Sequence, residues 1–136
     1  MAWNSGRYPT STLASHLVDV ETSDRHVVKP WFNGRIDFAP PVIELADAGY
    51  PLAGGRLDYV DRKVVAALVY RRRLHVINLF VWPQGRAGLH ASPFAGRDGY
   101  SLVHWRAGGL DYWAVSDVEK AELEAFHRAF AARTGG

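Results

Sequence analysis

The sequence predicts an α+β domain: an antiparallel sheet of about five strands, with a C-terminal helix and a short N-terminal helix packed on it. Three observations carry that expectation. Residues 56–82 divide into three runs rich in β-branched and aromatic residues, joined by connections of two and three residues. A further strand pair follows around Gly108-Gly109, and the last stretch then changes to helical spacing. Strands in succession, followed by a helix, make an α+β arrangement.

Taken in order, residues 10–20 fit a short helix, with Leu13, Leu17 and Val20 on one face. Residues 1–9 are expected to be disordered. The stretch TSDRHVVKPWFNGRIDFAPPV is poor in regular patterns, and Lys29-Pro30 biases it toward an extended conformation. Asn33-Gly34 between Trp31-Phe32 and residues 36–38 predicts a tight hairpin. A brief helical turn over 43–48 should end at Gly49.

The three central strands are RLDYV (56–60), KVVAALVY (63–70) and LHVINLFVW (74–82). Short connections force antiparallel neighbours. In the middle strand Val64, Ala66, Leu68 and Tyr70 alternate with Val65, Ala67 and Val69, so both faces are apolar and both should be covered. Gly54-Gly55 precedes a strand, not a helix, and reads as a turn or bulge instead of a phosphate cradle. A loop over 83–99 leads to strands YSLVHWRA (100–107) and LDYWAV (110–115). Ser116 and Glu119 have the spacing of a capping box, and Leu123, Phe126 and Phe130 give the helix behind it an apolar face.

The chain of 136 residues is the size of one domain and needs no staple to bury a core. It is 48% hydrophobic, 22% charged and 12% aromatic with five tryptophans, which points to an aromatic-rich globular core. A net charge of +2 makes no strong field, and the aromatics sit in core patterns apart from the basic residues, so nucleic acid is not an expected partner. Without cysteine there are no disulfides, thiolate metal sites or thiol nucleophile. No run reaches the ~20 apolar residues of a membrane span, and the N-terminus lacks a signal-peptide pattern.

Catalytic signals are weak. The six histidines form no HExxH or HxH pattern, so no metal or other cofactor is expected. His75 and His104 lie in strands, where one structural hydrogen bond accounts for them. Asp24 and His26 supply two-thirds of a relay, and a hydrolase would need a third group such as Ser101, but no GxSxG elbow is present. The triplet Arg71, Arg72 and Arg73 has the chemistry to grip an anion. It equally suits a solvated corner between apolar strands. A small-molecule or anion-binding module built on that turn is the alternative reading.

Three long stretches, SDRHVVKPWFNGRIDFAPPV (23–42), YPLAGGRLDYVDRKVVAALVYRRRLHVINLFVWP (50–83) and GYSLVHWRAGGLDYWAVSD (99–117), carry a resemblance to a known family. Over nearly its whole length the chain resembles the extracytoplasmic C-terminal region of bacterial transmembrane anti-sigma factors. In that family a cytoplasmic N-terminal domain holds an extracytoplasmic-function sigma factor, and one membrane helix leads to a region like this. The chain shows neither part, so it reads as an excised ectodomain or a naturally short relative. The resemblance implies a non-catalytic signal-sensing or regulatory domain on the periplasmic face of the inner membrane. Contact with a sigma factor would run only through the cytoplasmic region. A periplasmic protein or small ligand is the expected direct partner, and an exposed sheet edge could pair two copies as a homodimer. The interaction surface expected from the residues comprises Asp24, Arg25, His26, Lys29 and Trp31, joined by Arg71, Arg72 and Arg73 only if the fold brings the two groups together.

Overall fold

The computed structural model describes residues 20–21, 24–60, 63–85 and 99–134. Its elements are β1 (Val20–Glu21), α1 (Arg25–Phe32), a 3₁₀ turn (Ala46–Ala48), β2 (Leu52–Val60), β3 (Lys63–Arg72), β4 (His75–Pro83), β5 (Ser101–Ala107), β6 (Leu110–Ser116) and α2 (Lys120–Thr134). The strands form one antiparallel sheet in the order β1-β2-β3-β4-β6-β5: five long strands and a two-residue strand at one edge. The α+β class stands. Of the helix expected over 10–20, all but Val20 lies outside the described residues, and Val20 pairs with Gly55 in β1. The short N-terminal helix of the fold is α1.

The pleat sends alternate residues to opposite faces, so the register assigns each side chain a layer. Leu57, Ala66, Val81, Tyr112 and Trp105 make one cross-strand row, and Gly55, Leu68, Leu79, Ala114 and Val103 the next. Both helices cover these rows: Val28 and Phe32 of α1 and Leu123, Phe126 and Phe130 of α2 join them in one buried cluster. The expected aromatic core is found here. The Phe126 ring stands edge-on to Tyr50 and Tyr70, with centroids 5.4 and 5.1 Å away, and Phe130 stands edge-on to Tyr112 at 5.5 Å. Such pairs add about 0.5–1.5 kcal/mol beyond area burial. On the other face Val60, Val65, Ala67, Phe80, Trp82, Trp113 and Val115 form a second buried cluster, so β3 is covered on both sides as its sequence predicts.

Three local expectations are corrected. Residues 31–38 form no hairpin: Trp31 and Phe32 end α1, and Asn33-Gly34 turns the chain out of it into a single bridge between Asn33 and Ile36. Helix wins over the extended bias of Lys29-Pro30 because Asp24 caps it, accepting from the His26 N–H at 2.8 Å, and because Val28 and Phe32 have a seat on the sheet. Gly54-Gly55 lies inside β2, with a bulge between Leu52 and Gly54, not ahead of the strand. The capping box does not form. Ser116 stays in β6, paired with Ile77 and Ser101, where its hydroxyl donates to Val76 O at 2.7 Å and accepts from Val118 N–H. Glu119 caps α2 instead, its carbonyl accepting from the N–H groups of Glu122 and Leu123. The β5–β6 turn is as expected: Gly108 and Gly109 take φ of 59° and 82°, the left-handed region that glycine enters without cost.

Candidate functional site

The expected surface residues fall into two places with different partners. At the first, Asp24 is spent on the cap of α1, and the Arg25 N–H donates to Glu44 Oε2 at 3.0 Å. His26 is exposed, Lys29 Nζ donates to Pro40 O at 3.3 Å, and half-buried Trp31 lies edge-on to Phe32 with the Arg35 guanidinium 4.5 Å above its ring. This group is the outer face of a clasp. Its inner face, Val28 and Phe32, rests on Gly55. A Cβ there would stand 3.0 and 3.1 Å from Phe32 ring carbons and 3.3 Å from a Val28 methyl, so the helix approaches β2 closely enough that a side chain at this position would crowd it.

At the second place Arg72 is committed to the body of the protein. Its Nε lies 3.2 Å from Glu122 Oε2, its guanidinium carbon 5.1 Å from the Tyr50 ring centroid, and its Nη1 donates to Gly49 O. The Tyr50 hydroxyl donates to the same Glu122 carboxylate. That hydrogen bond, helped by Arg72, holds the Glu122 carboxyl below the usual range, while burial and the carboxylate push Tyr50 up to about 12. The three groups tie the first turn of α2 to the 49–50 segment and the end of β3. Arg71 and Arg73 remain exposed, and Arg73 makes the turn with φ of 56°. The two groups of expected residues are therefore not joined into one site: the first docks on β2 and residues 40–44, the second on α2.

The histidines in strands behave as structural groups. His75 Nδ1 lies 2.9 Å from Asp117 Oδ1, and His104 Nε2 lies 3.1 Å from Asp111 Oδ1. Ser101 pairs in β5 with Ser116, away from the Asp24 cap. No group of three or more His, Asp or Glu able to hold a metal occurs among the described residues.

Two features escaped the sequence reading. The first is a polar cluster on the sheet face opposite the helices. Arg56 is fully buried; its Nη1 donates to Asn78 Oδ1 at 2.7 Å, its Nε and Nη2 stand 3.4 Å from Asp58 Oδ2, and its guanidinium lies 5.6 Å from the Phe80 ring centroid. In register, Arg56, Ala67, Phe80, Trp113 and His104 form one row across five strands, and His104 stacks on Trp113 at 4.2 Å. The i, i+2 spacing of Arg56 and Asp58 was the available signal.

The second is a cleft of about 410 Å³ on the helix side, between α1, residues 39–43, the β5–β6 turn and the end of α2. Ala39, Pro41, Ile43 and Leu110 give it apolar walls, with Lys29, Tyr112 and Thr134 also lining it. Tyr112 is 2% exposed and its ring stacks on Trp105 at 5.1 Å. Among the described residues no group exchanges a hydrogen bond with its hydroxyl, which burial alone pushes up to about 12. Of the sequence-predicted site residues, Lys29 alone lines this cleft.

No protein family, curated protein or solved structure matches the chain.

Proposed function

We propose that the chain is a non-catalytic regulatory domain of a membrane-anchored anti-sigma factor, acting outside the cytoplasm through the mounting of its N-terminal clasp. The observation that carries the reading is the seat of α1 on Gly55. The segments resembling the anti-sigma ectodomains, 23–42, 50–83 and 99–117, cover α1, the central strands and the β5–β6 hairpin, so they coincide with the clasp and the sheet it closes on. β1 pairs with Gly54 and Gly55, and α1 covers Gly55 from above. β2 thus carries both β1 and the inner face of α1, while Glu44 and Pro40 also bond α1. α1 has eight residues of which only Val28 and Phe32 are buried, and elements that move in signalling are drawn from such lightly buried parts of a fold. A ligand, partner or stress that favours the seated or the released clasp shifts a population and so conveys a signal along the chain.

The non-catalytic part of the proposal rests on where the acids and histidines are spent. Asp24 caps a helix, Asp58 faces Arg56, Asp111 faces Arg106 and His104, and Asp117 faces His75. The test is deletion of the gene encoding this chain, followed by measurement of all transcripts. The expected result is a rise of at least several-fold in a small set sharing one promoter sequence, reversed when the intact gene is restored. A transcript profile indistinguishable from the parent strain overturns the proposal.

A further inference from the structure

The cleft beside α1 has the features of a binding site for a small amphipathic acid. Its volume of about 410 Å³ lies within the ~300–1,000 Å³ range of small-molecule sites, and such sites pair apolar walls with a few placed polar groups. Here the walls are Ala39, Pro41, Ile43 and Leu110, and the polar groups are the Lys29 ammonium and the Tyr112 hydroxyl. Lys29 uses one donor on Pro40 O, at 3.3 Å, and an ammonium carries three.

The Tyr112 hydroxyl is the more telling group. Although the Tyr112 ring is buried, its hydroxyl opens to the cleft and is free to donate to a molecule bound there. Tyr112 is 2% exposed and lines the cleft, and no group among the described residues bonds its hydroxyl. Its ring is held in place by stacking on Trp105 at 5.1 Å and by Phe130 edge-on at 5.5 Å. The donor is thus preorganised.

The sign and size of the ligand's charge follow from the same lining. One ammonium and one neutral donor match a single negative charge. Thr134, the last residue of α2, also lines the cleft, and a helix C-terminus carries partial negative charge that opposes a dense dianion. Phosphate recognition ordinarily recruits arginine forks, and among the described residues no arginine lines this cleft. We infer that the cleft binds a small monocarboxylate with an apolar body, its carboxylate facing Lys29 and Tyr112 and its body against Ile43 and Leu110.

The whole chain, labelled with ¹⁵N, is titrated with octanoate as the probe, alongside octylamine and octyl phosphate at matched concentrations. Octanoate is expected to shift the amide signals of Ile43, Gly108, Leu110 and Thr134 in a saturable way, with octylamine at least tenfold weaker and octyl phosphate no tighter. Lys29→Met is expected to weaken octanoate by about tenfold, and Tyr112→Phe, which removes only the hydroxyl, by several-fold. Ala39→Phe alters an exposed position on the cleft wall and should abolish the shifts in a chain whose remaining spectrum is unchanged. Shifts mapping elsewhere, equal binding of the amine, a tenfold preference for the phosphate, or unaltered binding by all three variants each overturn the assignment. Binding is read on the chain alone and the transcript response on the cell, so either proposal can fail without the other.

Discussion

Replacing Gly55 by alanine tests whether α1 is held by the close approach seen at β2. The backbone there is extended strand, so the substitution meets no left-handed φ, and stiffening the unfolded chain favours alanine by about 0.4–1 kcal/mol. Against this, the new methyl stands 3.0 and 3.1 Å from two Phe32 ring carbons and 3.3 Å from Val28. Neither neighbour can yield cheaply: Val28 is fully buried, Phe32 is 1% exposed, and the Trp31 ring stands edge-on to Phe32 at 5.1 Å. Overpacking of this kind costs about 1–3 kcal/mol, which leaves a net loss of about 1–2 kcal/mol. The strain acts on α1 and not on the central strands, so it should appear first as local opening. Urea denaturation measures the global loss, and trypsin, which cuts after Arg25 and Arg35 once α1 detaches, measures the local one. The variant is expected to be cleaved in this segment roughly five- to thirtyfold faster, as a loss of 1–2 kcal/mol implies. Stability equal to or above the parent's, with unchanged cleavage, refutes the claim that a glycine is needed beneath this helix.

Two further substitutions address the opposite face and α2. Arg56→Met keeps most of the volume but strips Asn78 and the buried Asp58 carboxylate of their guanidinium; about 3–5 kcal/mol of unfolding free energy should go, and a loss below about 1 kcal/mol in urea denies the cluster a structural role. His127 stacks on Trp105 at 4.1 Å, and burial, with Arg128 beside it, lowers its pKa below 6.5. The folded state therefore binds the proton less well than the unfolded chain, and the stability present above pH 6.5 is lost as pH falls through the folded value. His127→Phe keeps a ring against Trp105 without titrating, so the gap in denaturation midpoint between variant and parent should widen from pH 7 to pH 5, and a constant gap contradicts it.

The strands were legible because their signals are local. KVVAALVY alternates two apolar faces, the connections on either side are too short for anything but antiparallel neighbours, and Gly108-Gly109 marks its own turn. What the sequence hid depends on residues distant along the chain. α1 carries a proline and buries only Val28 and Phe32, and nothing in SDRHVVKPWF discloses that a glycine in β2 waits to receive them. The Ser116–Glu119 spacing is a sound capping signal, but Ser116 is held in β6 by Ile77 and Ser101, and tertiary pairing displaced the helix start. The partners of Arg56 depend on a register across β2, β3 and β4 that local patterns do not specify. The cleft was the least legible feature, since its lining comes from α1, residues 39–43, the β5–β6 hairpin and the last residue of α2.

The clasp and the cleft share one helix, and this gives the two proposals a common physical consequence. Val28 and Phe32 point α1 at Gly55, while Lys29, which follows Val28 in the chain, reaches Pro40 and the cleft. Releasing α1 from β2 would therefore also withdraw the Lys29 ammonium from the cleft. A ligand that needs that ammonium binds the seated clasp and not the released one, and it stabilises the seated state by RT ln(1 + [L]/Kd), about 2.7 kcal/mol at a hundredfold excess over Kd. On the two proposals together, occupancy of the cleft favours the seated clasp and loss of the ligand favours its release.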